Sequence, residues 1–297
     1  MWRRSGVPMA CFHPIQAWQT YEGDVVFVER GKIRRELKLS CGRCIGCRMR
    51  RSRSWAIRCV HESKMFPISA FVTLTYDDDH YSPSLDYRDF QLFMKRLVKF
   101  RGPTRFYCCG EYGEDKSRPH FHALLFGCWF DDAKPWTEGL YRSSRLEKLW
   151  PMGHSSFGHV SYQSAAYVAR YTCQKVTGPL AAAHYERVHL STGEIVSVRP
   201  ELGHMSLKNG GLGYSWFQKF WRDVYLARDG IVVDGKVLPP PKYYDKLLAE
   251  SMPVLSSDKD FERYLNSVEF AEDCTPERLA VREQVEIARL NTFKRSL

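Results

Sequence analysis

The sequence predicts an α+β fold in which an antiparallel sheet is flanked by helices, led by a cysteine-rich basic segment and followed by a helical extension. Three observations predict it. Two β-rich runs stand either side of a polar loop, an amphipathic run precedes them, and the composition breaks sharply at Cys41.

The first forty residues are β-rich: Val25 to Val28 is β-branched and aromatic, and Ile33 to Leu39 is a second candidate strand. From Cys41 the chain reads CGRCIGCRMRRSRSWAIR. This is a cysteine knuckle running into an arginine-rich stretch with no breaker after Gly46, so a helix is expected to about Lys64. Phe71 to Tyr76 (FVTLTY) alternates bulky and hydroxylated residues and reads as a buried strand, ended by the turn Asp77, Asp78, Asp79. Asp86 can cap the next helix, whose Phe90, Phe93, Met94, Leu97 and Val98 fall on one face. Arg105 to Cys109 (RFYCC) and His120 to Phe126 (HFHALLF) flank the polar loop Tyr112 to Pro119 and are expected to pair as a hairpin.

Trp129 to Val160 reads as an insertion whose shape does not follow from its residues. Ser164 to Lys175 has good helix formers and stops before Gly178 and Pro179. Tyr214 to Arg228 is an aromatic amphipathic helix, Pro239 to Pro241 a stiff link, and Thr275-Pro276-Glu277 the start of a terminal helix. The chain thus divides into a basic segment (1–64), a core (65–228, with the insertion at about 128–160) and an extension (229–297).

At 297 residues and 44% hydrophobic content the chain can bury a sizeable core. No apolar run approaches the roughly 18 residues of a membrane span, and no secretory signal follows Arg3 and Arg4, so synthesis and action in a cytoplasm are expected. For the ten cysteines that setting favours metal ligation or burial over disulfides. Net charge is +10, and residues 1–64 carry fourteen Lys or Arg against five Asp or Glu. A polyanion is expected to touch that segment. The 8 Trp, 16 Tyr and 17 Phe are enough to build a core and still offer stacking rings for unpaired bases.

Side chains at i and i+2 of a strand leave one face about 6 to 7 Å apart, so His120 and His122 can reach one metal ion while Phe121 faces the core. A lone His-x-His is weak, but Glu111 ends the preceding strand, and hairpin pairing brings its carboxylate to the two imidazoles. Two His and a carboxylate with open positions suit Mn²⁺ or Mg²⁺ acting on a phosphate. Tyr167 and Tyr171, four apart in the expected helix, share a face that Lys175 continues. A phenol is a poor nucleophile at neutral pH, so such a site would polarise a phosphodiester while Lys175 steadies the phenolate or the phosphate. The competing reading is an aromatic pair packed in the core.

Cys41, Cys44 and Cys47 have zinc-type spacing, with Cys11 or Cys59 left to complete a tetrahedral site. Arg48, Arg51, Arg53 and Arg58 are the candidate phosphate contacts, and Trp55 is either a core anchor or a stacking ring.

FVTLTY (71–76), RPHFHALLFG (118–127) and AAYVARYTCQKVTG (165–178), in that order, resemble the motifs of HUH endonucleases of the replication-initiator type. More narrowly, CGRCIGCR followed by WAIR, CGEYGE (109–114) and PPKYYDKL (240–247) resemble the replication initiation proteins of gokushovirus-type microviruses, small single-stranded DNA phages. The likeness spans about residues 11–248. It implies a five-stranded antiparallel sheet flanked by helices. It also implies a nickase that opens origin DNA in the bacterial host, holds the 5′ end on Tyr167 or Tyr171, and closes the unit-length circle alongside host helicase and polymerase. His120 and His122 would be the metal ligands, with Glu111 a looser third. Two other classes fit parts of the pattern: a non-catalytic zinc-knuckle nucleic-acid-binding protein, and a transposase of the same superfamily.

Overall fold

The computed structural model describes residues 11–113, 118–171, 175, 181–188 and 192–293. Residues 52–223 form one compact unit, and the residues before and after them together form a second. The elements begin with β1 (Ile15–Thr20), β2 (Val25–Val26), β3 (Ile33–Leu39) and α1 (Ile45–Ser63). Next come β4 (Ser69–Tyr76), α2 (Tyr87–Arg101), β5 (Arg105–Tyr112), β6 (Pro119–Phe126), β7 (Lys134–Thr137), β8 (Leu140–Arg142), α3 (Ser144–Leu149), β9 (Gly153–His159) and α4 (Tyr162–Tyr171). After them stand α5 (Ala181–His184), β10 (Glu186–Val188), β11 (Ile195–Ser197), β12 (Leu202–Met205) and α6 (Tyr214–Tyr225). The chain closes with β13 (Ile231–Val233), β14 (Lys236–Leu238), α7 (Lys242–Ser251), α8 (Pro253–Val268) and α9 (Pro276–Phe293).

In the 52–223 unit the strands make one antiparallel sheet in the order β12-β5-β6-β4-β9-β8-β7. It has seven strands where five were expected. The extra hairpin β7–β8 comes from the 129–160 stretch, whose shape was illegible for a physical reason: all four residues of β7 are exposed, so neither face imposes an apolar alternation. That stretch also supplies α3 and β9.

Strand alternation sorts the side chains of β6 onto two faces. Phe121, Ala123 and Leu125 join Val72 and Leu74 of β4 under α2 and α3, where Phe90, Phe93, Met94, Leu97, Leu146 and Trp150 complete a core. Full burial of each such aromatic or aliphatic side chain stabilises the fold by about 1.5–3 kcal/mol. Leu124 and Phe126 face the other way, toward Ala56 and Cys59 of α1 and Ala165, Val168 and Ala169 of α4. Small residues on these two helices let their backbones approach the sheet closely, and this second face also carries His120 and His122.

Asp86 caps α2 as its sequence suggested, its carboxylate accepting from the Arg88 amide at 3.0 Å. The helix bearing the two tyrosines is shorter than expected. α4 ends at Tyr171, residues 172–174 and 176–180 lie outside the described residues, and Lys175 is exposed and outside the helix.

In the second unit β1 pairs with both β2 and β3, and β13 pairs with β14 across Asp234 and Gly235, both at positive φ as a tight hairpin turn requires. Arg263 of α8 forms ion pairs with Asp229 and Asp245, and Asp245 also accepts from the Tyr225 hydroxyl at 2.8 Å. The nine cysteines among the described residues are all free, and no helix among those residues is long and apolar enough to cross a membrane.

Gly153 starts β9 against the end of β4 with φ +143°, and a Cβ there would lie 2.3 Å from the Asp77 amide nitrogen. Gly139, φ +71°, has open space around its Cβ position. Gly139→Ala should therefore cost only the left-handed strain, about 1–2 kcal/mol, while Gly153→Ala should cost distinctly more because the β4 backbone must also move. Urea midpoints of the two variants check this; equal losses would refute the steric argument.

Candidate active site

The β5–β6 register sets Glu111 opposite His120 and Cys109 opposite His122, while β4 sets Thr75 beside His120 and Thr73 beside His122. Glu111, His120 and His122 therefore share the α4 face of the sheet. Oε1 of Glu111 lies 2.8 Å from Nε2 of His120 and 2.9 Å from Nε2 of His122. Glu111 is only 2% exposed and His122 5%.

Hydrogen bonding fixes what these rings offer one another. The Nδ1–H of His120 donates to the Arg118 carbonyl at 3.0 Å, so in the neutral ring Nε2 carries a lone pair facing the Glu111 carboxylate. Nδ1 of His122 bonds the Thr73 hydroxyl at 3.0 Å. Oε2 of Glu111 has no hydrogen-bond partner, and Nε2 of His122, although close to Oε1, lies off any hydrogen-bond axis. Burial pushes the His122 pKa down and favours the neutral ring. Burial pushes the Glu111 carboxyl up, but the two imidazoles hold it below its ordinary value. Lone pairs converging on a buried carboxylate repel unless a proton or a cation stands among them. The three donor atoms lie within 4.8 Å of one another, and the group can hold a metal ion.

α4 brings both tyrosines to this carboxylate. The Tyr167 hydroxyl donates to Oε1 of Glu111 at 3.5 Å, and its ring stands 4.9 Å from His122, edge to face. The Tyr171 ring lies 4.9 Å from Tyr167 and 6.3 Å from His122. Both rings are half-buried against the core, but they stand before the histidines as i, i+4 spacing implied. Burial, then the Tyr171 hydroxyl and the Glu111 charge, push the Tyr167 phenol well above its ordinary value. Lys175 has no described contact with the group.

In the second unit the sulfurs of Cys11, Cys41, Cys44 and Cys47 lie within 4.8 Å of one another, a second group able to hold a metal. Cys11 is the fourth member; Cys59 is fully buried in the other unit. Cys41 and Cys47 sulfurs are 4.0 Å apart and Cys11 and Cys44 sulfurs 3.9 Å. Tetrahedral bonds of about 2.3 Å would set sulfurs roughly 3.8 Å apart. The amides of Cys41, Cys44 and Phe12 donate to Sγ of Cys11, Cys41 and Cys44 at 3.2–3.4 Å. Burial pushes the Cys11 thiol up to about 12. At Cys41 burial also raises the pKa, but the Cys44 and Arg43 amides bring it down to about 6.

The α1 arginines divide by role. Arg58 donates to the Leu212 carbonyl at 3.0 Å and stacks its guanidinium 4.1 Å from the Trp55 ring, which packs against Tyr107. Trp55 is thus an anchor at the edge of the core. Arg51 reaches the Gly42 carbonyl and Arg50 the Cys47 sulfur. Arg48 and Arg53 are half-buried, and Arg53 makes no ion pair among the described residues.

Sequence reasoning missed Thr73 as the partner of His122. The signal was present in FVTLTY, whose hydroxyls alternate onto one face.

Residues 69–176 match the family described as replication-associated protein ORF2. Over 283 residues, 89% of this chain and 85% of the relative, the chain is 33% identical to replication-associated protein VP4 of Bdellovibrio phage phiMH2K. It is 28% identical to replication-associated protein ORF2 of Spiroplasma virus 4, covering 80% of each chain. It is likewise 28% identical to replication-associated protein ORF4 of Chlamydia phage 1, covering 77% of this chain and 58% of that one. No solved structure matches significantly. The chain belongs to the family of microvirus replication-associated proteins.

Proposed function

We propose that this protein is the replication initiator of a single-stranded DNA phage, an HUH-type nickase that cuts origin DNA by tyrosine attack and rejoins it during rolling-circle replication. The observation that carries this reading is the convergence of Tyr167 Oη and two imidazole Nε2 atoms on one buried carboxylate oxygen.

His120, His122 and Glu111 would hold Mn²⁺ or Mg²⁺, hard ions suited to an oxygen and nitrogen donor set. When bound, such an ion supplies Lewis-acid polarisation of a phosphate oxygen. The Tyr167 proton is aimed at Glu111, whose lowered pKa keeps it able to accept. As the Oη–P bond forms, the P–O3′ bond breaks, leaving a 5′-phosphotyrosine and a free 3′-OH. The new ester keeps the energy of the old one, so a 3′-OH can reverse the step without a nucleotide. Tyr171, beside Tyr167 on the same helix face, serves for the second cut, and Lys175 would meet the incoming phosphate. Cys11, Cys41, Cys44 and Cys47 would hold a structural Zn²⁺, and Arg48, Arg51 and Arg53 would contact the strand. The protein would act in the bacterial cytoplasm with host helicase and polymerase.

Incubation with a labelled single-stranded origin oligonucleotide and Mn²⁺ should give a covalent peptide on Tyr167 or Tyr171. The double variant Tyr167→Phe, Tyr171→Phe should lose it by at least about a thousandfold. Mass spectrometry decides, and an adduct on any other tyrosine would overturn the assignment.

Metal analysis of the purified chain should find zinc. Cys11→Ser should lower its content and the melting temperature together, and Cys59→Ser should leave the zinc in place. The reverse pattern would move the fourth ligand to Cys59.

The buried His122 gives a pH signature. Its pKa is depressed from 6.5 in the folded state, so its neutral form favours folding above pH 6.5, and that stability is lost as pH falls through the lower folded value. Between pH 7.5 and 5.5, His122→Gln should lose less stability than the unaltered protein, measured by urea midpoints without metal. Parallel losses would mean that His122 is not held neutral.

A further inference from the structure

The positive charge of residues 1–64 was expected to act through α1, yet Arg50, Arg51 and Arg58 are engaged inside the protein. A different group of cations is free to bind. Arg30, Lys32, Arg34 and Lys38 are all exposed and make no ion pair or side-chain hydrogen bond among the described residues. Two of them lie on β3, and the other two in the turn leading into it.

The register of the small β2-β1-β3 sheet shows how they are displayed. Ile15, Ala17, Leu37 and Leu39 share one face, and Ala17 is fully buried. The opposite face carries Gln16, Trp18, Val26, Arg34, Glu36 and Lys38, with Arg34, Glu36 and Lys38 exposed. Glu36 accepts from Gln16 at 3.4 Å and so neutralises neither neighbouring cation. From Arg30 to Lys38 an extended chain spans roughly 26 Å. The result is a stiff row of cations on an exposed β-ribbon.

We infer that this outward ribbon face binds the phosphate backbone of duplex DNA. The inference rests on the reading that the protein acts on DNA, but not on its cutting it. Charge complementarity selects a polyanion, and rigidity selects the duplex. A row of charges fixed by strand geometry matches a row of phosphates fixed by base pairing, and a β-ribbon fits a major groove about 12 Å wide. A single strand is usually held in a groove lined by stacking rings. The ring within this face, Trp18, is half-buried between Glu36 and Val26, and the exposed Tyr21 and Phe27 belong to the turns.

The test is fluorescence anisotropy of the full chain with a labelled duplex, and with one of its strands alone, over a range of salt in EDTA so that no cleavage occurs. Each phosphate contact contributes about 0.9 to the slope of log affinity against log salt. The triple variant Arg30→Gln, Arg34→Gln, Lys38→Gln should lower the duplex slope by roughly 2.7. A control of equal charge loss on α2, Arg88→Gln, Lys95→Gln, Lys99→Gln, should change it little. An unchanged duplex slope, an equal fall in the control, or a fall with the single strand alone each overturns the proposal. Failure of covalent adduct formation in the separate Mn²⁺ experiment would leave this result standing.

Discussion

A carboxylate buried at the end of one strand, facing two imidazoles from the next, is the constraint around which the catalytic-type group is arranged. Removing Glu111 from water costs several kcal/mol unless its charge is balanced. The protein balances it locally, with both histidine Nε2 atoms and the Tyr167 hydroxyl directed at one oxygen. The other oxygen stays without a partner. A native protein seldom leaves a buried acceptor in that state, and a divalent ion would satisfy it together with Nε2 of His122.

That convergence depends on strand register, which the apolar faces enforce. Slipping β6 by one residue would turn His120 and His122 toward α2 and Phe121 toward α4. The fully buried Phe121, Ala123 and Leu125 resist such a slip, because all three would leave the core that α2 and α3 complete. Gly110 adds to this, since a Cβ there would already lie 3.0 Å from both Leu85 and Phe121. Hydrophobic packing on one face of the sheet thus holds in place the polar geometry of the other.

What could be read from the chain was what local periodicity encodes. The hairpin, the His pair on one strand face, the tyrosines one helical turn apart and the capped α2 all follow from spacings of two, three or four residues. Partners brought by non-local pairing did not follow. Thr73 reaches His122 only because β4 lies beside β6, and Cys11 joins a knuckle thirty residues away because β1 folds back on β3. β7 and β12 are four-residue strands, too short to show a period. The Asp234-Gly235 hairpin was legible and passed over. Lys175 exposes the limit of extrapolating a helix: the i, i+4 rule placed it beside Tyr171, but α4 ends there.

The two candidate metal groups differ in chemistry as well as in position along the chain. Four sulfurs about 4 Å apart, three of them receiving backbone amides, make a closed set that leaves no ligand position for substrate. Such sets hold soft or borderline ions and serve structure. Glu111, His120 and His122 make an incomplete set of three harder donors, with Tyr167 beside it rather than within it. Three donors cannot fill the coordination of Mn²⁺ or Mg²⁺, so the remaining positions fall to water or a phosphate oxygen. A nucleophile held next to unfilled positions, and not occupying one, is what in-line attack on a bound phosphodiester requires. That is why Tyr167 is better placed as the attacking group than as a ligand.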